Sequence, residues 1–332
     1  MIIRSIDVGY GNTKFCYGDG DAKLKCSHFP SIASLFTGLD RGAGVMIRRD
    51  LVEVESDGSR YLVGRDSIDT LSARDDRGRT LLNSYIDTSQ HLALFRGALA
   101  YMGESKIDLM VSGLPVNFFA QHKNRMAERL KGEHIYPDGK RIYIKDAWII
   151  PQPIGGFINY FMSANQIDNL TDLKSLTIDV GYYTVDWLVC RGLKLQDERS
   201  GSTPGGMSLV LDKLTYLISE DRQAPFSDVN IVDSGIRNGF KARIQGKEYN
   251  FAHLIKKMDA YIITAIQSVL SSVGSLDDID VIVLVGGGAD CYRPIIEELL
   301  NGREIIVPDD GLYSNVKGFY LAGNERVKKL GS

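Results

Sequence analysis

The segment Ile-Asp-Val-Gly-Tyr occurs twice, at Ile6–Tyr10 and Ile178–Tyr182, about 170 residues apart. In each copy a short apolar run ends in an aspartate, then come a glycine and a tyrosine, then a threonine and a second apolar run. "SIDVGYGNTKFCY" and "TIDVGYYTVDWLV" both read as strand, turn, strand. The chain has 332 residues, enough for two domains of ordinary size. A fold with two related halves facing each other uses both copies.

The pattern around the repeats is mixed α/β. Met1–Ile6, Lys14–Tyr17 and Lys23–His28 read as short strands, with "GDGD" (Gly18–Asp21) as a hairpin tip. Leu51–Gly64 reads as two more strands around Asp57-Gly58. The period then changes: Ser84–Gly103 spaces its apolar residues at three and four, as a helix does. Ile107–Val116 is a buried strand, and Phe118–Gly132 is an amphipathic helix stopped by its glycine. A second cycle has a helix start at "PIGGFINYFMSAN", a strand pair over Ser175–Cys190, and helices over Gly205–Glu220 and Phe251–Gly274. Asp280–Leu300 then reads as a buried strand, a triple glycine and a helix. The charged run "RDDRGR" (Arg74–Arg79) is expected as an exposed loop.

Five segments carry candidate chemistry. In the first loop, Gly9 and Gly11 let backbone N–H groups converge on one anion. Lys14 can add positive charge, and Asn12 or Thr13 a further hydrogen bond. Asp7 repels a phosphate, so its sensible task is to hold the waters of a Mg2+ ion; the plain alternative is a hairpin with a capping aspartate. The second loop, Asp179 to Asp186, repeats the arrangement with Gly181, Tyr182, Tyr183 and Thr184, and two such loops would clamp a polyphosphate from both sides. In "VLVGGGAD" a buried strand runs into Gly286, Gly287 and Gly288 and then a helix opening at Ala289, placing flat backbone and a helix N-terminus beside a ligand. It matches neither the GxGxxG fingerprint nor a P-loop. Gly205-Gly206 opens another helix with free N–H groups, or is a plain helix entry. In "IIPQPIGGF" two prolines hold Gln152 in a fixed turn; a glutamine there can orient a water, or the segment is only a linker.

Composition narrows the partners. A net charge of -3 and a pI near 6.0 do not indicate a broad nucleic-acid face. Cys16, Cys26, Cys190 and Cys291 lack CxxC spacing and His is scarce, so neither a zinc site nor a disulfide framework is expected, and all four read as reduced core thiols. Arg4 and Asp7 interrupt the first apolar run, unlike a signal peptide. No apolar run approaches the roughly 18–20 residues of a membrane span. A soluble, cytoplasmic protein with no membrane partner is expected.

Taken in order, the five segments resemble the superfamily of actin, the heat-shock chaperone ATPases and the sugar kinases, and most closely the actin-like ATPases of the ParM/StbA plasmid-segregation group. "NVKGFYLAG" (Asn315–Gly323) resembles the last helix of that fold, which returns to the first domain. The resemblance implies an actin-like fold: two ribonuclease-H-like domains, 1–153 with a C-terminal helix 314–332, and 154–313, flanking a nucleotide cleft. It implies ATP or GTP with Mg2+, the metal held through water by Asp7 and Asp179, and Gln152 positioning the attacking water. Residues Gly9–Lys14 and Gly181–Thr184 would take the phosphates; Gly205, Gly206 and Gly286–Ala289 would line the ribose and base. It further implies a head-to-tail filament and a DNA-bound adaptor protein at a plasmid centromere, without direct nucleic-acid binding. Tyr10 and Tyr182 depart from the small residues usual in these loops. The alternative is a superfamily member that does not polymerise: a small-molecule kinase, a chaperone-like ATPase or a nucleotide-binding regulator.

Overall fold

The computed structural model describes residues 1–18, 24–38, 49–71, 85–163 and 172–331. The "GDGD" turn beyond Gly18 and the "RDDRGR" run lie outside them. Two five-stranded sheets dominate the described residues. The first contains β1 (Ile3–Val8), β2 (Asn12–Tyr17), β3 (Lys25–Pro30), β4 (Leu109–Leu114) and β5 (Ala147–Pro151), in the order β5-β4-β1-β2-β3. The second is built on β6 (Lys174–Val180), β7 (Thr184–Arg191) and β8 (Val281–Val285), with Lys194–Leu195 and Gly201–Pro204 pairing on β7.

Both sheets repeat one plan. β1 turns back antiparallel into β2 and lies parallel to β4; β6 turns back antiparallel into β7 and lies parallel to β8. Every residue of β1 and of β4 is buried, Arg4, Ser5 and Asp7 included, so neither strand has a solvent face. The register places Asp7 opposite Lys14 and Asp179 opposite Asp186.

Helix α1 (Ser89–Met102) starts at Thr88, whose hydroxyl accepts from the His91 N–H, and stops at Gly103 with φ +78°. Its buried side chains form one core with β1, β2 and the Leu51–Ser56/Ser59–Gly64 hairpin. That hairpin turns at Asp57 and Gly58, both with positive φ, as the Asp-Gly pair requires. The helices after it are α2 (Val116–Leu130), α3 (Gln152–Ser163), α4 (Met207–Arg222), α5 (Val229–Arg237), α6 (Asp259–Val273), α7 (Ala289–Leu299) and α8 (Ser314–Gly331). A second core joins β6–β8 to α4–α7. A third, smaller one packs Phe319 and Tyr320 of α8 on Ile3, Leu109 and Val111, so the last helix covers the first sheet.

Helices α3 and α8 cross almost backbone to backbone. A Cβ on Gly318 would fall on the Gly155 backbone, and one on Gly155 would fall on Asn315 and Phe319. Neither position has room for a side chain, which permits the close crossing.

Four expectations need correction. Cys16 and Cys26 are not reduced thiols but a disulfide: the β2–β3 ladder sets them directly opposite, with Cα atoms 4.2 Å apart, and this pairing across a hairpin has no short-spacing signature. Gln152 does not sit in a linker turn. Pro151 ends β5 and Gln152 is the first residue of α3, with Pro153 in the first turn, where its missing N–H costs no helical bond. Asn12, Thr13 and Lys14 are ladder residues of β2, so the first loop is only Gly9–Gly11. The helix read over Phe251–Gly274 is a 3-10 run, Ala252–Met258, followed by α6. Leu254, Met258 and Ile262 are buried at spacing four throughout, so periodicity does not register the change.

Candidate functional site

The two hairpin tips, the triple-glycine turn and the start of α3 enclose a cavity of about 550 Å³. Asp7 is 1% exposed and both its oxygens are engaged: Oδ2 accepts from Lys14 Nζ at 3.0 Å and Oδ1 from Gln152 Nε2 at 2.7 Å. Burial opposes the charge on Lys14, but the Asp7 and Asp179 carboxylates outweigh it and raise its pKa, so the ammonium is held charged between them. Asp179 comes in from the other sheet. Burial raises its pKa, and Lys14 and an amide hydrogen bond from Asn315 (Nδ2 to Oδ2, 2.6 Å) act against that rise. Asp7 and Asp179 thus stand at matching places in the two hairpins and share one cation.

Gly286 lies against Asp179. A Cβ there would strike the Asp179 carboxylate and the Val180 carbonyl, and φ is +95°, so only glycine fits. Gly288 donates its N–H to Val180 O at 3.0 Å, binding the triple-glycine turn to the second hairpin, and α7 begins at Ala289. Gly286, Gly287, Gly288 and Ala289 all line the cavity.

The expected phosphate residues divide. Gly9, Tyr10, Gly11, Asn12, Lys14, Gly181, Tyr182 and Thr184 line the cavity; Thr13 and Tyr183 do not. Thr13 is buried with its hydroxyl 3.0 Å from Ser31 Oγ. The tyrosine rings settle against the loops. Tyr10 stacks on Tyr85 at 4.8 Å and meets Tyr183 at 5.0 Å, and Tyr182 covers Gly11, where a Cβ would strike its ring. Glycine at position 11 therefore lets the two loops touch.

Gly205 and Gly206 do not line the cavity and do not leave the start of α4 with free N–H groups. Met207 N donates to Gly181 O, Ser208 N to Tyr182 O and Gly206 N to Tyr183 O, so the helix entry supports the second loop from behind. A Cβ on Gly206 would strike the Gly181, Tyr182 and Thr184 carbonyls. The free N–H groups expected of this glycine pair are consumed by loop carbonyls.

Three further features belong to the site. Asp186 occupies the position in the second repeat that Lys14 holds in the first, so the legible signal was the repeat itself read one residue past the tip. It is 3% exposed, its Oδ2 accepts from Thr184 Oγ1 at 2.6 Å, and burial, with Asp179 adding, pushes its pKa up to about 7. Asn315, near the start of α8, donates to Asp179, and the helical pattern around it does not mark this role. His28, opposite Lys14 on β3, pairs through Nδ1 with the Tyr313 hydroxyl at 2.6 Å, joining the first sheet to the turn before α8. No sequence pattern announces that pair.

Charge decides what the cavity can hold. Among the charged residues that line the cavity, carboxylates, with Asp7, Asp179 and Asp186 buried, outnumber the cations Lys14 and Arg237. A bare polyphosphate would be repelled. A divalent cation with its water shell fits the oxygen donors of Asp7 and Asp179 and offsets the excess, with the glycine loops and Lys14 lining the same cavity. Among the described residues no cluster of three or more His, Cys, Asp or Glu could coordinate a metal directly, and no helix is long and apolar enough to cross a membrane.

Comparison with known proteins agrees with this architecture. Residues 5–155 match the family model of the actin-like proteins' N-terminal domain, and residues 177–298 that of the C-terminal domain of the archaeal MreB-like actin homologue. Each match contains one copy of the hairpin. Among solved structures, an archaeal actin homologue in complex with ADP is 21% identical, with 98% of this chain and 100% of that one covered and a TM-score of 0.72. A ParM from Clostridium botulinum, in a 15-stranded filament, is 21% identical over 98% and 99% of the two chains, with a TM-score of 0.74. The actin-like protein Alp7A is 18% identical over 99% and 97%, with a TM-score of 0.75. These likenesses establish the actin-like fold. No curated protein matches the sequence.

Proposed function

We propose that this chain, whose two halves match models of actin-like domains, is a Mg2+-dependent ATPase that polymerises head to tail into dynamic filaments and segregates plasmid DNA in the cytoplasm. The observation that carries the reading is the pair of buried aspartates, Asp7 and Asp179, brought by equivalent hairpins to one ammonium at a cavity wide enough for a nucleotide. The ADP complex of the archaeal homologue and the ParM filament support the same assignment. The domain division proposed is 1–153 with 314–332, and 154–313, with nucleotide between them.

In this reading Asp7 and Asp179 hold the water shell of Mg2+, which would neutralise the phosphate charge. The Gly9–Gly11 loop and the second loop at Tyr182 face phosphate oxygens from the two sides, the Gly181 N–H closing its own hairpin on Thr184 O, and Lys14 adds charge. Gln152 donates its amide N–H to Asp7, which leaves its carbonyl oxygen to accept from, and so orient, the attacking water. The turn over Gly286–Ala289 faces the nucleoside; ATP is the proposed substrate, with GTP the competing base. The γ-phosphate holds the two loops together, and its loss lets the halves move, a two-state element that a filament can read. DNA is reached through an adaptor at the plasmid centromere, in keeping with the acidic pI.

Phosphate release from Mg-ATP tests the site. Asp179→Ala is expected to lower the rate at least about a hundredfold, the scale seen when a pre-aligned electrostatic group is removed, and EDTA should abolish release by the wild type. Unchanged release by the variant would remove Asp179 from the chemistry and with it this reading of the cavity.

A further inference from the structure

Asn315 makes two hydrogen bonds that no other feature of the chain explains. It is 4% exposed and sits near the start of α8. Its Nδ2 donates to Asp179 Oδ2 at 2.6 Å, and its Oδ1 accepts from the Gly156 N–H of α3 at 3.1 Å. Gly156 lies one helical turn after Gln152, and Gln152 holds Asp7. The result is a continuous chain of groups: Asp7, Gln152, one turn of α3, Asn315, Asp179. We infer that Asn315 is a positioning residue that fixes Asp179 relative to α3, so that a single helix sets the placement of both carboxylates.

The local packing makes the link stiff. The α3–α8 crossing is closed at Gly155 and Gly318, with no side chain between the backbones. Gly156 is held on its other side by Val285, the residue before the triple glycine. Asn315 therefore cannot drift from α3 without opening that crossing. The chemistry also selects the residue. A short amide offers a donor nitrogen and an acceptor oxygen on a single rigid group. An aspartate at 315 would set two carboxylates together and force one of them to take up a proton, and an alanine would leave a buried Asp179 oxygen without its donor. Asn315 touches neither nucleotide nor water in this account and acts only through Asp179. The inference rests on the reading that Asp179 serves metal-bound nucleotide.

The test is binding of a fluorescent ATP analogue to the full chain, titrated with Mg2+ and repeated in EDTA, alongside kcat and KM for phosphate release. Asn315→Ala should raise the Mg2+ needed for half-maximal binding about tenfold and lower kcat about tenfold, the effect of one charge-assisted hydrogen bond. Binding in EDTA and KM should stay within about twofold, because only the carboxylate is displaced. Asn315→Ser, which retains a hydroxyl donor, should recover part of the Mg2+ dependence and carries the test if the alanine variant does not fold. In an Asp179→Ala background the Asn315→Ala change should have no further effect on the Mg2+ midpoint. A folded Asn315→Ala variant with a wild-type midpoint would overturn the inference, as would an equal loss of binding with and without Mg2+, which marks a merely structural role. If Asp179→Ala itself leaves the midpoint unmoved, the reading of Asp179 fails and the inference fails with it; if Asp179→Ala shifts it and Asn315→Ala does not, only the inference fails.

Discussion

Lys14 and Asp186 hold the same place in the two copies of the repeat, and their opposite charges make the two loops unequal partners. The other buried titratable groups near the cavity answer to burial as well. His91 is 3% exposed, lies edge-on to Tyr85, and has its pKa lowered to about 3 by burial, with Arg129 adding. In the unfolded chain it titrates near 6.5. From pH 7 to pH 5 the unfolded chain therefore takes up a proton that the folded chain refuses, and stability falls as pH falls. The loss for this one group is about 2 kcal/mol at pH 5. His134, lowered to about 4, acts in the same direction, and Asp186, raised to about 7, acts in the opposite one because the folded form binds its proton first. Comparing variants isolates the term. Urea unfolding of His91→Phe at pH 7 and pH 5 should show a loss smaller than the wild type's by about 2 kcal/mol; equal losses would mean that His91 is not held neutral. At this scale Asp7, Asp179 and Lys14 were legible because the strand–turn–strand repeat announces them. Asn315 was not, because its partners lie 136 and 159 residues away.

Among elements, the hairpins were legible and the crossing of α3 and α8 was not. Alternation and glycine turns define strands locally. A helix crossing depends on which faces meet, and the glycines that allow it, Gly155 and Gly318, look like ordinary helix glycines in the sequence. Their role follows from the contact. A Cβ on Gly318 would overlap the Gly155 carbonyl, which is backbone and cannot swing aside. Gly318→Ala should destabilise the chain by about 1–3 kcal/mol, against the fraction of a kilocalorie that alanine ordinarily gains in a helix. The urea midpoint reads this, and an unchanged or raised midpoint would show that the two helices have room to part. The same limit explains Gly205-Gly206: a glycine pair before a helix marks an entry, but the carbonyls that use its N–H groups come from a loop some twenty residues earlier. The Cys16–Cys26 bond was missed for a related reason, since it depends on the register of β2 and β3 rather than on spacing.

For the whole molecule, the doubled segment was enough to expect two facing halves, and the two sheets with their matched hairpins have that plan. The order of the five segments carried the fold, because each alone has a plain structural alternative and the set does not. Filament formation is a property of surfaces, and no pattern of strands and turns encodes a heterologous contact. It is also the central claim, so it is best tested directly. The measurement is right-angle light scattering of the purified protein on mixing with Mg-ATP, with Mg-ADP and ATP plus EDTA alongside. A filament-forming ATPase gives a rise that needs both ATP and Mg2+, begins above a threshold protein concentration, and decays as phosphate is released. Flat scattering accompanied by steady ATP turnover would contradict it and make the chain an actin-like enzyme that works without polymerising.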